Sequence, residues 1–451
     1  METTTKINVS DIIENSRLGA FQVGIGILCG ACLMIDGFDV QSMGYAAPAL
    51  IKDWNIPSAA LGPVFSAGLF GILLGSLIFS TAADKIGRRP MLIIATLFFS
   101  AMTFLTARAN SIPELLAIRF IAGAGLGGIM PNALALTGEY MPTRTRVAAM
   151  MHVGNGFNFG AALGGFIAAW LIPNFGWRSV FYFGGGVPLV IAVVMIFLLP
   201  ESLQFMVLQG RDRSRITKWL KRVAPGAACE DRAEYVVREE KRAGVPVIHL
   251  FSEGRGIVTV LLWGVYFLNL LNLFLLSSWL PTLVSSAGYS TSTAVLAGTM
   301  LQAGGALAGL TLAPFIGRIG LIRSLTVGFS MSAVCIALIG QPGISLSVLF
   351  AVIFVAGCGI LGGQVALNTL AGVYYPTYLR STGVGWCLGI GRIGAIVGPL
   401  FAGELIRRHW ANQQLFLAAG SLVLIATAIM FSLRWLIKTE TKTTTDSVMA
   451  H

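Results

Sequence analysis

The sequence predicts an all-α integral membrane protein, with twelve transmembrane helices arranged as two parallel six-helix repeats. Three observations carry that prediction. Of 451 residues, 55% are hydrophobic and 11% charged, and the mean hydropathy is +0.78, a balance outside the range of water-soluble domains. Apolar windows of the length that crosses a bilayer, about 20 residues, recur along the whole chain. A hydrophilic stretch, 201–255, divides these windows into two sets of six.

The windows run over 21–46, 61–82, 91–107, 115–138, 147–171 and 180–199, then over 257–279, 293–315, 324–340, 346–372, 383–406 and 413–436. They define an N-terminal six-helix bundle in 1–200, a linker in 201–255, and a C-terminal six-helix bundle with a short tail in 256–451. The opening METTTKINVSDIIENSRLG is polar and the first apolar run is long enough to span, so no cleavable signal peptide is expected. Basic residues orient the chain. Most of the 31 Lys and Arg fall on the side of the termini and the linker; the opposite side holds Lys52, Arg108, Arg178, Arg407 and Arg408, and Arg119 and Arg392 lie within spans. The positive-inside rule then places both termini in the cytoplasm. Topology and contact with membrane lipid account for the net charge of +11 without any nucleic acid. Five of the six cysteines, Cys29, Cys32, Cys335, Cys358 and Cys387, fall in windows. The Cys29/Cys32 pair reads as small packing residues in a membrane helix, so neither a disulfide nor a metal is expected.

Sliding the second half over the first exposes the duplication. At an offset of 233, Pro48 falls on Pro281, Asp36 on Asn269 and Asp39 on Asn272. At an offset of 234, EYMPTRTR (139–146) falls on VYYPTYLR (373–380), Asn158 on Arg392, Gly160 on Gly394 and Gly164 on Gly398. Six spans is an even number, so both copies enter from the same side and are related by an axis along the membrane normal. Secondary transporters built this way hold substrate between the halves and rock around it.

Local motifs agree. STAADKIGRRP follows the second window, RFIAGAGLGG lies in the fourth, GNGFNFGAALGG in the fifth, and PESLQF closes the sixth. Together they resemble the loop, arginine and glycine-rich motifs of the major facilitator superfamily along residues 17–436. Ser80 stands where that superfamily usually has glycine, and APFIGRIGLIR in the second half has Gly317 where an acid is expected, which implies a one-sided ionic latch. DGFD (36–39), GYAAPAL (44–50), LGPVFSAGLFG (61–71), GIMPNALALTGEYMP (128–142), SSWLPTL (277–283), YYPTYLRSTGVGW (374–386) and GIGRIGAIVGP (389–399) resemble the bacterial aromatic acid:proton symporters. The resemblance implies uptake of benzoate-like or hydroxylated aromatic carboxylates across the inner membrane, driven by protons. No cofactor beyond the proton gradient is implied, and a monomer suffices.

Residue chemistry assigns candidate roles. Asp36 and Asp39 are spaced to share one helix face, and a carboxylate at membrane depth costs about 2.5–3.5 kcal/mol on the lenient insertion scale, more than packing alone repays. One of the two is the candidate proton-coupling site, desolvation favouring its neutral form; helix breaking around Gly37 is the competing reading. Arg119, at similar depth, is placed to neutralise an acid or an incoming carboxylate. Because Asn269 and Asn272 cannot titrate, proton handling is assigned to the first half and substrate grip to the second. Arg392, opposite the neutral Asn158 in the repeat, is a candidate bidentate contact to the substrate carboxylate, a structural tie between the eleventh helix and the seventh or tenth being the alternative. Gln364 and Asn368, four apart, can hydrogen-bond ring substituents or simply join helices. Tyr266 and Phe267 can stack on a ring or serve as packing. His152 reads as a local hydrogen-bonding residue.

At helix ends on the linker side, Asp84, Arg88, Glu139, Arg144 and Arg146 form a candidate gating network, with topology signalling the alternative for the arginines. Glycines at 156, 160 and 164 and at 394 and 398 are spaced for close helix contact. Two rival functions stay open. An exporter of drugs or metabolites would show proton-free outward flux, and a non-transporting receptor for aromatic acids would bind without accumulating. An enzyme is excluded by the lack of a nucleophile triad, metal spacing or phosphate loop, and 201–255 is too short and charged to form its own core.

Overall fold

A computed structural model describes residues 6–210, 213–225, 234–237, 247–252, 254–376 and 378–448; Cys229 and much of the linker lie outside the described residues. Among the described residues, 12 helices are long and apolar enough to cross a membrane. Numbered as spans 1 to 12, they are Ala20–Trp54, Ser58–Ile86, Arg88–Thr106, Ile112–Tyr140, Thr143–Phe175, Arg178–Leu198, Gly256–Ser286, Thr291–Ile319, Leu321–Ile339, Leu346–Tyr374, Arg380–Arg407 and Asn412–Leu436. Most run past the apolar windows, because a helix continues into polar flanks until a cap or glycine stops it. Spans 2 and 3 meet at Gly87, whose φ of 110° is left-handed, and Ser111 and Ser290 cap spans 4 and 8 by accepting from the backbone N–H groups of Glu114 and Thr293. Span 4 is interrupted at Gly128: Pro131 has no N–H to continue the ladder, and the Asn132 amide donates to the Gly128 carbonyl at 2.7 Å.

Glycines bring the same helix pairs into backbone contact in each repeat. In the first, a side chain at Gly160 of span 5 would strike the Met34 carbonyl of span 1, and one at Gly123 of span 4 would strike the Gly68 carbonyl of span 2. In the second, Gly394 of span 11 faces the Phe267 carbonyl of span 7, and Gly357 of span 10 faces the Leu301 carbonyl of span 8. These are repeat-equivalent contacts at the offsets of 233 and 234. One pair is exchanged: Gly37 of span 1 lies against Phe157 of span 5, whereas Leu270 of span 7 lies against Gly391 of span 11. The bulky and the small partner have traded helices, and the close approach is kept.

Contacts group the chain into two compact units whose borders cut through spans 1, 2 and 5. Unit 1 comprises Met1–Val40, Ala67–Ala161 and Arg178–Arg242. It contains a helix at Val9–Asn15, short linker helices at Leu203–Leu208 and Arg213–Val223, and a parallel pairing of Lys6–Asn8 with Glu234–Val236. The linker helices have no separate core. Ile216, Leu220 and Val223 join Ile13, Leu33, Leu136 and Met195 in one buried cluster.

Unit 2 comprises Gln41–Ser66, Ala162–Trp177 and Ala243–His451. In it, the linker-distal ends of spans 1, 2 and 5 pack on the second repeat. Ser66 Oγ donates to the Ile396 carbonyl at 2.7 Å, and the Phe65 ring meets edge to face at 5.2 Å the Trp279 ring, whose Nε1 is held within the second repeat by the Pro399 carbonyl at 3.0 Å. Gly165 of span 5 lies against Thr299 of span 8, so span 2 meets span 11 and span 5 meets span 8 at this end.

Candidate transport site

In unit 1, Asp39 is completely buried and ion-paired with Arg119. The guanidinium holds both carboxylate oxygens, Nη2 to Oδ2 at 3.0 Å and Nη1 to Oδ1 at 3.3 Å, and Nη2 also reaches the Asp39 carbonyl at 3.2 Å. Thr103 Oγ1 of span 3 donates to Asp39 Oδ1 at 3.0 Å. Such a pair persists away from water only when its geometry is good and the remaining lone pairs are satisfied, and Thr103 supplies one such bond. Asp36, one turn earlier, is also buried, 5% exposed. Gly37, between the two acids, lets span 5 touch span 1 at Phe157.

In unit 2, four of the candidate substrate residues form one hydrogen-bonded chain between spans 7 and 10. Asn269 Nδ2 donates to Gln364 Oε1 at 2.9 Å and to the Ile360 carbonyl at 3.3 Å. Gln364 Nε2 donates to Asn368 Oδ1 at 3.2 Å, and Tyr266 Oη donates to the same oxygen at 3.0 Å. The chain runs from buried Tyr266 and Asn269 to exposed Asn368. Asn269 Oδ1 is buried without a hydrogen bond, as is Asn272 Oδ1, whose amide donates to the Leu268 carbonyl of its own helix at 3.0 Å. Unsatisfied buried acceptors are costly, and these two lie on the face of span 7 that matches the acids of span 1.

The remaining candidates lie on spans 5, 7 and 11. Arg392 is half-buried on span 11, and Asn158 is half-buried on span 5, where its amide donates to Asn155 Oδ1 at 3.1 Å. Phe267 contributes its backbone carbonyl to the Gly394 contact, and His152 is exposed.

The charged residues on the linker side form a clasp inside unit 1. Arg88 Nε pairs with Glu139 Oε1 at 2.9 Å, and Glu139 also receives Ser202 Oγ. Glu201 caps the start of span 3, its Oε1 accepting from the Arg88 and Arg89 N–H groups at 3.1 and 3.2 Å and from the Ser202 N–H at 2.8 Å; a carboxylate there offsets the positive helix end. Any side chain at Gly87 would strike Glu201. Arg144 donates to the Ser16 carbonyl at 2.6 Å and Arg146 to the Met141 carbonyl at 3.2 Å, so each guanidinium holds a backbone carbonyl. Asp84 is exposed and stands apart from these contacts. Glu14, on the helix before span 1, accepts from the Thr143 N–H and hydroxyl, and those bonds hold its carboxyl below the ordinary range. Sequence reasoning missed Thr103, Glu201 and Ser202. The PESLQF motif contained a signal for the latter two, whereas nothing local distinguishes Thr103 from the other hydroxyls of span 3.

Comparison with known proteins agrees with this architecture. The family model described as Major Facilitator Superfamily matches residues 29–222 and 262–450. A gallate transporter of Pseudomonas putida is 38% identical over 415 residues, 92% of each chain. A 4-hydroxybenzoate transporter of Pseudomonas aeruginosa is 37% identical over 424 residues, 94% of this chain and 95% of that one. Among solved structures, a bacterial homologue of the human lysosomal transporter Spinster in an inward-facing conformation superposes with a TM-score of 0.70 at 18% identity, covering 94% of this chain and 99% of that one. The chain belongs to the Major Facilitator Superfamily, as a multi-pass membrane transporter similar along nearly its whole length to aromatic acid permeases.

Proposed function

We propose that the protein takes up a hydroxylated aromatic carboxylate together with a proton, by alternating access across a bacterial inner membrane. The buried Asp39–Arg119 pair carries this reading. With both groups ionised, the pair is neutral. A proton on Asp39 leaves Arg119 as an uncompensated buried cation, which a substrate carboxylate can neutralise; a substrate anion arriving without a proton adds an uncompensated negative charge. States with net buried charge cost several kcal/mol. Proton and carboxylate are therefore favoured together, one for one at this pair. The proton gradient is the driving force, with no cofactor.

The rest of the site is assigned from the repeat. The chain of Tyr266, Asn269, Gln364 and Asn368, with Asn272 beside it, grips the ring and its hydroxyls, and Arg392 is a second carboxylate contact. The two bundles, 1–200 and 256–451, rock around the substrate with both termini in the cytoplasm. Within unit 2, spans 1, 2 and 5 contact spans 7, 8 and 11. The Arg88–Glu139–Glu201 clasp stiffens unit 1 for that motion, and a monomer suffices. The hydroxylated class rests on the gallate and 4-hydroxybenzoate relatives and on the unpaired acceptors of Asn269 and Asn272, which suit ring hydroxyl donors.

Uptake of labelled gallate, 4-hydroxybenzoate and benzoate into proteoliposomes under an imposed pH gradient tests the proposal. Accumulation above equilibrium, collapsing with the gradient, is expected. Accumulation that ignores the gradient would overturn the coupling, and binding without accumulation would favour a receptor.

A further inference from the structure

The linker helix Arg213–Val223 has two dissimilar faces. Ile216, Thr217, Leu220 and Val223 are buried in the unit 1 core. Arg213, Arg215, Lys218, Lys221 and Arg222 are all exposed, so the charge that the core rejects is gathered on the outer face.

Its depth is set by aromatic contacts with membrane helices. Trp219 stacks on Phe21, one residue inside span 1, with ring centroids 5.6 Å apart and planes at 14°. Phe21 in turn meets Tyr140, the last residue of span 4, edge to face at 6.1 Å. The Arg222 guanidinium lies 5.0 Å from the Trp219 ring centroid and 5.8 Å from that of Phe21, a cation–π arrangement that locates one positive charge at the mouth of both spans. Span ends mark the level where hydrocarbon gives way to headgroups, and half-buried tryptophan beside basic side chains is typical of that level. A soluble domain carried on the linker would need no such registry with span ends.

Among the described residues, other charged groups nearby do not neutralise this face. Asp11 is close to the helix's C-terminal end, across a cleft it lines with Ile12, Arg17 and Val223. Glu14 is committed to Thr143, and Glu139 and Glu201 to the clasp.

We propose that the outer face of helix 213–223 binds anionic phospholipid headgroups in the leaflet on the linker's side. The phosphates lie against Lys218, Lys221 and Arg222 while the buried face keeps the helix on unit 1. Basic residues beside an anionic leaflet attract it additively, and the attraction decays within a Debye length.

The test uses the full-length protein in phosphatidylcholine vesicles doped with trace spin-labelled phosphatidylglycerol or spin-labelled phosphatidylcholine, reading the motionally restricted fraction of each. About a five- to tenfold preference for phosphatidylglycerol is expected, given a moderate attraction per basic residue. The variant K218Q/K221Q/R222Q should lose most of it, and the charge-preserving K218R/K221R/R222K should keep it. The substituted side chains are exposed, and substrate uptake in the same vesicles reports folding. Equal restriction of both lipids by the native protein would overturn the proposal, as would loss of preference in the charge-preserving variant. Displacement of the lipid by inorganic phosphate, beyond that caused by sodium chloride at equal ionic strength, would assign the site to a free anion and likewise overturn it.

Discussion

Span 1 and span 7 occupy equivalent places in the two repeats and carry side chains of matching size at 36/269 and 39/272, yet among the described residues only span 1 holds an ion pair. The register of the glycine contacts extends the comparison to their neighbours. Gly123 on Gly68 corresponds to Gly357 on Leu301, so Arg119 corresponds to Ile353 and Thr103 to Ile336, both wholly buried. Asp39 has a guanidinium and a hydroxyl; Asn272 has its own helix and apolar neighbours. The same asymmetry recurs at the helix junctions. Gly87 and Gly320 share a left-handed backbone, φ 110° and 88°. A side chain at Gly87 would meet Glu201, whereas nothing lies within 4 Å of one at Gly320. The duplicated backbone is a common frame. At these equivalent positions the first copy carries an ion pair and the second carries amides, whose hydrogen bonds reorganise at lower cost than buried charges.

The strongest way to break the comparison is to convert the first site into the second. Arg119→Ile alone strands the Asp39 carboxylate and should destabilise the protein by about 3–5 kcal/mol, seen as a lowered unfolding temperature in detergent. Adding Asp39→Asn should restore most of that stability but abolish pH-driven accumulation, measured in proteoliposomes. A double variant that still concentrates substrate would place coupling elsewhere.

The junctions provide the next contrast. Gly87→Ala meets both an unfavourable φ and the Glu201 carboxylate, and a loss of about 1–3 kcal/mol is expected. Gly320→Ala meets the φ alone and should cost about 1 kcal/mol. Equal losses in thermal unfolding would deny Glu201 its role at the first junction.

A smaller effect probes the amide side. Gln364→Ala removes one member of the Tyr266–Asn368–Asn269 chain and should weaken substrate binding by about 0.5–1.5 kcal/mol, with the pH dependence of uptake unchanged. An altered coupling ratio would show that the halves do not divide the work.

The smallest concerns Glu14. Its carboxyl is held below the ordinary range by Thr143, so the contact stabilises above the unfolded-state pKa and is lost as pH falls through the lower folded value. The unfolding temperatures of wild type and Glu14→Gln should therefore converge on acidification and separate slightly near neutrality. A gap that widens in acid would contradict the assignment.

Much of this was legible before the structure. The twelve spans followed from hydropathy, and the duplication from the alignment of DGFD with NLLN and of EYMPTRTR with VYYPTYLR. The pairing of helices was partly visible too, since Gly160 and Gly394 sit at matching positions and small residues mark close approach. That Arg119 would neutralise an acid of span 1 was anticipated from similar depth, but not that the acid is Asp39 rather than Asp36. Thr103 was not, because a hydroxyl in a membrane span usually bonds to its own helix, as Thr106 does to the Met102 carbonyl. Glu201 was visible only as part of a motif: its value comes from reaching helix N–H groups more than 100 residues away in the chain.

Composition and periodicity by themselves determined that the chain spans a membrane, how many times, and which copy of the repeat can titrate, because transfer free energy and ionisation belong to the individual residue. Which acid meets which base, which amides join into one chain, and where the linker helix lies were decided only by the tertiary structure. Those depend on helix rotation and on contacts down to a single glycine, such as Gly37 against Phe157, that bring together residues far apart in sequence.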